Sequence, residues 1–107
     1  MTETPRPEHA AVRHILTAPS IAARTAPFIG AEDFDFAGLE AELCEMSGGE
    51  ALLVRIASEL WYAEKGTGLW ELPRRLDGPN FRRVLEALAL ARGDEPETPV
   101  VLLAAAA

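Results

Sequence analysis

Apolar side chains recur at helical spacing along most of the chain, and this pattern predicts an all-α fold. The stripes occupy residues 7–17, 36–46, 48–65 and 81–92. A short turn at 20–24 and a further short element at 69–76 complete the series. We therefore expect one small domain of five to six helices around a single core, with little or no sheet.

The clearest local signal is Ser47-Gly48-Gly49-Glu50, which fits a capping box at the start of a helix. That helix is predicted over 48–65, with Gly66 as the residue that ends it, and we expect it to be the central helix. Pro73 limits the element at 69–76 to one or two turns. Residues 77–80 are predicted to form a turn that leads into the last helix.

The chain of 107 residues has the length of one domain. We divide it into a disordered lead at 1–6, a helical domain at 7–93, and a linker with a C-terminal tail at 94–107. The apolar residues 100–103 within that tail are prone to extended structure. They could dock as an edge strand or pack on the core.

The sequence gives no indication of a membrane protein or of a secreted one. No apolar run approaches the roughly 20 residues that a bilayer-spanning helix needs. The polar start with two prolines is unlike a signal peptide, and a single cysteine requires no oxidising compartment. We therefore expect a cytoplasmic protein that does not contact membranes.

The formal net charge is −7, which disfavours general binding to nucleic acids or anionic membranes. Residues 32–50, the acidic segment, carry seven acids and no base. Residues 74–83, the basic segment, carry four arginines and one acid. The two segments could be solvated, could attract each other within the fold, or could serve different partners.

No residue set points to catalysis, and we expect neither a metal nor a cofactor. Cys44 lies among carboxylates that suppress its thiolate, and we interpret it as a buried structural cysteine. His9 and His14 are five residues apart, which is not the spacing of a helical metal pair, so we expect them to be solvated. The chain is therefore predicted not to be an enzyme.

Residues 46–50, Met-Ser-Gly-Gly-Glu, resemble the signature motif of ATP-binding-cassette ATPases, and Leu76-Asp77-x-x-Asn80 resembles a later loop of that family. The resemblance implies a contact between Ser47 and a nucleotide γ-phosphate across a dimer. The sequence departs from the family in lacking a Gly-rich phosphate loop with Lys-Ser or Lys-Thr, and an apolar strand that ends in Asp-Glu. The sequence therefore lacks the residues that bind magnesium and phosphate in that family, and we assign no family.

The order of a long helix, a short helix, a tight turn and an arginine-bearing helix also resembles a helix-turn-helix domain. In that interpretation the last helix enters the DNA major groove. The side chains are suited to bases and phosphates, since arginine bridges guanine and asparagine bridges adenine. The predicted DNA contacts are Arg74, Arg75, Asn80, Arg82 and Arg83.

Our main hypothesis is a small acidic, non-catalytic helical module that binds another protein or a second copy of itself, as an accessory or inhibitor. It rests on the aromatic and apolar residues around the break at 66–68, because such side chains are enriched in protein interfaces. The predicted interface comprises Trp61, Tyr62, Leu69 and Trp70. A DNA-binding regulator is the first alternative, and an enzyme with an unrecognised site is the second.

Overall fold

A computed structural model describes residues 6–94, which fold as an all-α domain. The helices are α1 (Pro7–Leu16), α2 (Ala22–Thr25), α3 (Phe36–Glu42), α4 (Gly48–Tyr62), α5 (Glu71–Arg75) and α6 (Gly78–Ala91). The part of the chain described contains no β-strand, only one isolated bridge between Ile29 and Phe34. The predicted all-α class and helix number are therefore confirmed.

The centre of the fold is α1, not α4 as the sequence predicted. Both α4 and α6 pack mainly against α1 and much less against each other. Four residues of α1 have no exposed surface: Ala11, Val12, Ile15 and Leu16. The length and apolar character of α4 suggested a central position, but the small alanines of α1 let two helices approach it closely.

The start of α1 is stabilised by charge and geometry. Pro7 occupies the first turn, where its missing N–H is not needed. The Glu8 carboxylate accepts hydrogen bonds from Arg6 Nε at 3.2 Å and Nη2 at 3.1 Å. A backbone N–H and the Arg6 guanidinium, through hydrogen bonds, hold the pKa of Glu8 below its ordinary value.

The capping box of α4 forms as predicted. Ser47 Oγ accepts from the Glu50 backbone N–H at 3.2 Å, and the Glu50 carboxylate accepts from the Ser47 N–H at 2.9 Å. The helix ends at Tyr62, earlier than predicted, because Ala63 turns left-handed at φ 55°. The Glu64 N–H then donates to the Glu59 carbonyl at 3.0 Å, closing the helix before Gly66 is reached.

Replacing Ala63 by glycine is expected to stabilise the domain by about 0.5–1 kcal/mol, because glycine adopts positive φ without steric cost. The matched control is Ala51→Gly inside α4, expected to destabilise by about 1 kcal/mol. Urea unfolding followed by circular dichroism measures both changes. Destabilisation of similar size by both substitutions would show that the left-handed turn at residue 63 is wrong.

The chain between α1 and α4 is built from short helical pieces. The short helix α2 begins without a side-chain cap. The start of α3 is capped by Asp35, whose Oδ1 accepts from the Gly38 N–H at 2.9 Å. Phe36 and Leu39 are buried, while the last part of the predicted helix tightens into a turn of 3-10 helix at Leu43–Glu45.

The short helix α5 places Pro73 in its first turn, which agrees with the sequence prediction. Residues 77–80 are not a separate turn, because Asp77 caps α6 and the helix already begins at Gly78. Asp77 Oδ1 accepts from the Asn80 N–H at 2.9 Å. The Asp-Gly-Pro sequence therefore marks a helix start, with proline at an early position where it is tolerated.

The α6 face that meets the core also differs from the predicted stripe, which joined Phe81, Val84, Leu85, Leu88 and Ala89. Of that stripe Val84 is buried and Phe81 packs partly buried against the core, and the helix also buries Asn80 and Ala87. The predicted and the observed buried faces both follow the helical period, and they differ by a small rotation of α6 about its own axis. The outcome leaves Leu88 on the surface.

The predicted lead and tail lie, apart from residues 6 and 94, outside the described residues, as does the proposed extended segment at 100–103. Among the helices of residues 6–94, none has the length and apolar character needed to cross a membrane.

Candidate functional site

Large apolar side chains are exposed near the loop that joins α4 to α5. Leu69 is 82 % exposed, Trp70 60 %, Tyr62 53 % and Leu88 of α6 40 %. Three of these are predicted interface residues, whereas sequence reasoning assigned Leu88 to the core. A helical stripe alone could not show that Leu88 faces outward, because the competing stripe through Val84 and Ala87 has the same period.

A groove of about 200 Å³ lies between α4 and α6, which we call the α4–α6 groove. Both helices pack on α1 and make few contacts with each other, which leaves this space between them. Its apolar lining consists of Ile56 and Leu60 from α4, Leu69 from the loop, Leu72 from α5, and Val84 and Leu88 from α6. Its polar lining consists of Glu59, Glu64, Thr67 and Gly68.

The loop along the groove is held by Glu59. Its carboxylate accepts from the Thr67 backbone N–H at 2.8 Å and from Thr67 Oγ1 at 2.5 Å. The Gly68 N–H donates to Glu71 at 3.1 Å, which fixes the start of α5. Leu69 is therefore presented by an ordered loop, and a partner would lose little loop entropy when it binds there.

The four predicted interface residues do not form one patch. Trp61 is half-buried, with its ring centroid 5.0 Å from that of Phe34 and with the Arg6 guanidinium 5.2 Å from the centroid, over the ring. Tyr62 packs beside Phe36, with the centroids 5.7 Å apart. Of the four, only Leu69 lines the α4–α6 groove.

A second groove, of about 290 Å³, lies on the other side of α4 and is lined by Tyr62. Its remaining lining is mixed, combining apolar, acidic, basic and hydroxyl side chains: Phe36, Ala37, Glu40, Leu43, Val54, Arg55, Ser58 and Glu64. Glu40 and Glu64 lie here with one arginine, Arg55, so this groove is less negative than the α4–α6 groove, which is lined by two acids and no base.

Two of the residues predicted to contact DNA make contacts within the fold. Asn80 is buried, and its Nδ2 donates to Ser20 Oγ at 3.4 Å. Arg83 donates from Nε to the His14 carbonyl at 2.6 Å and from Nη2 to Thr17 Oγ1 at 3.1 Å. These side chains join α6 to the end of α1.

The other three arginines of the predicted DNA contact are exposed. The Arg74 guanidinium lies over the Trp70 ring, 5.4 Å from its centroid. Arg75 pairs with Glu71 across one helical turn, at 3.6 Å. Arg82 extends from the first turns of α6 into solvent.

The acidic segment and the basic segment do not pair with each other within residues 6–94. Arg24 takes that role instead, contacting Glu45 at 2.9 Å and Glu42 at 3.6 Å. Asp35 and Glu50 serve as helix caps. Much of the acidic segment therefore stabilises local structure.

The prediction that both histidines are solvated is wrong. His14 Nε2 lies 2.8 Å from the Glu86 carboxylate, in a half-buried contact between α1 and α6. The His9 ring stacks on Phe34 at 4.7 Å and meets the edge of Trp61 at 6.1 Å. His9 Nε2 is buried and has no hydrogen-bond partner among residues 6–94. Helix position alone could not place either ring, since both sit where a distant element covers α1.

Cys44 is exposed, so its interpretation as a buried cysteine is wrong. It lies in the turn after α3, where the helix tightens and its side chain leaves the core face, with Sγ 3.5 Å from the Ala41 carbonyl. Among residues 6–94, no group of three or more histidine, cysteine or acidic side chains is placed to hold a metal ion.

The residues that resemble the ATPase signature serve the start of α4. Ser47 and Glu50 satisfy each other's backbone N–H groups. A Cβ on Gly49 would lie 2.7 Å from the Arg75 carbonyl oxygen, so glycine permits the end of α5 to approach α4 closely. Helix capping and packing account for the motif without a nucleotide.

Comparisons of the chain with protein-family models, with curated proteins and with solved structures found no significant match.

Proposed function

We propose that this protein is a non-catalytic helical module that binds another protein through the α4–α6 groove. The observation that carries this proposal is the exposure of Leu69 and Leu88 at the rim of a groove with an aliphatic floor. Exposed apolar side chains beside an apolar groove mark interaction sites, because covering them removes apolar surface from water. The volume of about 200 Å³ is below the range typical of small-molecule sites and suits inserted side chains.

The test compares proteins captured from a cell lysate by the wild type and by Leu69→Asp/Leu88→Asp. We expect at least one protein to be retained by the wild type and reduced at least tenfold with the variant, because a carboxylate in the interface must be desolvated. Leu69→Asp alone, at the most exposed position, guards against a folding defect, which circular dichroism monitors. Arg82→Asp, on an exposed part of α6 outside the groove, should retain the protein.

Identical captured proteins for the wild type and the groove variant would overturn the proposal. Self-association is measured separately by sedimentation over a range of concentrations. A dimer that dissociates in the groove variant would identify a second copy as the bound protein, which is the other form of the same function.

The alternative of DNA binding is supported by exposed arginines on α5 and α6, Arg74, Arg75 and Arg82. It is the weaker candidate because Asn80 and Arg83, its best base-reading side chains, are engaged with α1 and the residues that follow it. A mobility-shift assay with mixed duplex DNA at low salt tests it, since phosphate contacts are strongest there. Absence of a shift at a salt concentration of about 20 mM would rule out the DNA-binding alternative.

A further inference from the structure

We infer that the partner of the α4–α6 groove is an amphipathic helix whose aliphatic stripe is bordered by lysine or arginine. This inference rests on the proposed function and adds the chemistry of the partner. It follows from the shape of the groove, from the kinds of side chain that line it, and from its charge.

The groove walls have helical periodicity. Ile56 and Leu60 are four residues apart on α4, and Val84 and Leu88 are four residues apart on α6. Each pair spans one turn, about 6 Å along the axis. A partner helix that presents apolar residues at i, i+3 or i+4 and i+7 matches that spacing between two helical walls.

The other common modes of peptide binding lack their required surface. Strand addition needs an exposed sheet edge, and residues 6–94 contain no strand. Polyproline segments need an aromatic groove, whereas the lining of the α4–α6 groove has no aromatic side chain. Trp70 is exposed and directly follows Leu69 of the groove lining, but it does not line the groove itself, and Arg74 lies over its ring.

The negative charge of the groove favours a partner helix with basic residues beside its apolar stripe. Its charged lining residues are Glu59 and Glu64, and neither lysine nor arginine lines it. The hydrogen bonds from Thr67 hold the Glu59 carboxylate in place. A partner with Lys or Arg beside its apolar stripe gains attraction at the rim, whereas an acidic partner is repelled.

The negative charge of the groove disfavours two other occupants, a second copy of this chain and the chain's own C-terminal segment. A second copy carries the same net charge of −7. The C-terminal sequence after Gly93 contains Asp94, Glu95 and Glu97 and no base, so it would bring more negative charge to the groove. A basic helix from a different protein is the occupant that the groove favours.

The experiment uses fluorescence anisotropy with the full chain and three labelled helical peptides of equal length. The first carries a leucine stripe bordered by lysines, and the second carries the same stripe bordered by glutamates. The third has the composition of the first with its leucines scrambled out of helical period. We expect the first peptide to bind at least tenfold more tightly than either of the others, and its affinity to fall as salt rises.

The variant Leu69→Asp/Leu88→Asp should reduce binding of the first peptide at least tenfold, although it adds negative charge that would strengthen a purely electrostatic contact. Glu64→Gln should reduce the preference for lysine over glutamate while the protein stays folded by circular dichroism. Equal affinity for the first and third peptides, or for the first and second, would overturn the inference. So would binding unchanged by the groove substitutions.

Displacement of the first peptide by a synthetic peptide of residues 95–107 at comparable concentration would identify the chain's own C-terminal segment as the occupant, against our inference. If none of the peptides binds, but a lysate protein captured by the wild type is lost with the groove variant, the basic helix is refuted and the proposed function stands. Failure of both experiments would refute both.

Discussion

The substitution Leu16→Ala is expected to destabilise the domain by about 2–5 kcal/mol. Leu16 is the last residue of α1, belongs to the hydrophobic core and has no exposed surface. The change removes apolar contacts and leaves a cavity that the surrounding core can only partly close. Urea unfolding measures the effect as a lower midpoint with an unchanged slope.

Leu69→Ala is the matched control, because it removes the same atoms from a side chain that is 82 % exposed. Its effect on stability should stay within about 0.5 kcal/mol. The two substitutions also separate stability from binding, since Leu69→Ala should weaken partner capture and leave unfolding unchanged. Similar losses of stability for Leu16→Ala and Leu69→Ala would contradict the central position of α1.

Replacing Arg83 by methionine is expected to destabilise the domain by about 1.5–3 kcal/mol. The Arg83 guanidinium donates to the His14 carbonyl and to Thr17 Oγ1, both at the C-terminal end of α1. That end carries partial negative charge and unpaired carbonyl groups, which favour a cation. Methionine retains much of the apolar stem but leaves the acceptors without this donor.

The control for Arg83 is its neighbour, because Arg82→Met removes an equal charge from an exposed side chain. We expect Arg82→Met to change stability by less than about 0.5 kcal/mol. Thermal unfolding of both variants at the same salt concentration makes the comparison. Equal effects would mean that general charge, rather than the contact with α1, determines the contribution of Arg83.

Local sequence chemistry predicted the starts of α1, α3 and α4, whereas α6 begins at Gly78, before its predicted stripe at 81–92. The capping hydrogen bonds of Ser47 with Glu50 and of Asp35 act over three residues, so no distant element is needed to form them. The predicted end of α4 is too late, because two residues in this stretch can end the helix. Gly66 is the usual terminator, yet the chain turns at Ala63 and the Glu59 side chain then binds the loop.

The candidate site was only partly predictable. The sequence identified Leu69 and Trp70 as surplus apolar side chains, and both are exposed. It could not identify Leu88, whose exposure depends on how α6 rotates against α1. It also could not show that Arg83 contacts the end of α1, because its partner His14 lies 69 residues away.

The amino-acid sequence by itself determined the helical class and the starts of α1, α3 and α4, because hydrophobic period and capping act over a few residues. Only the tertiary structure decided which helix is central, which face of α6 is buried and where a groove remains open. Those outcomes depend on how helices distant in sequence pack together, and here α4 and α6 both pack on α1 and make few contacts with each other, which leaves the groove between them.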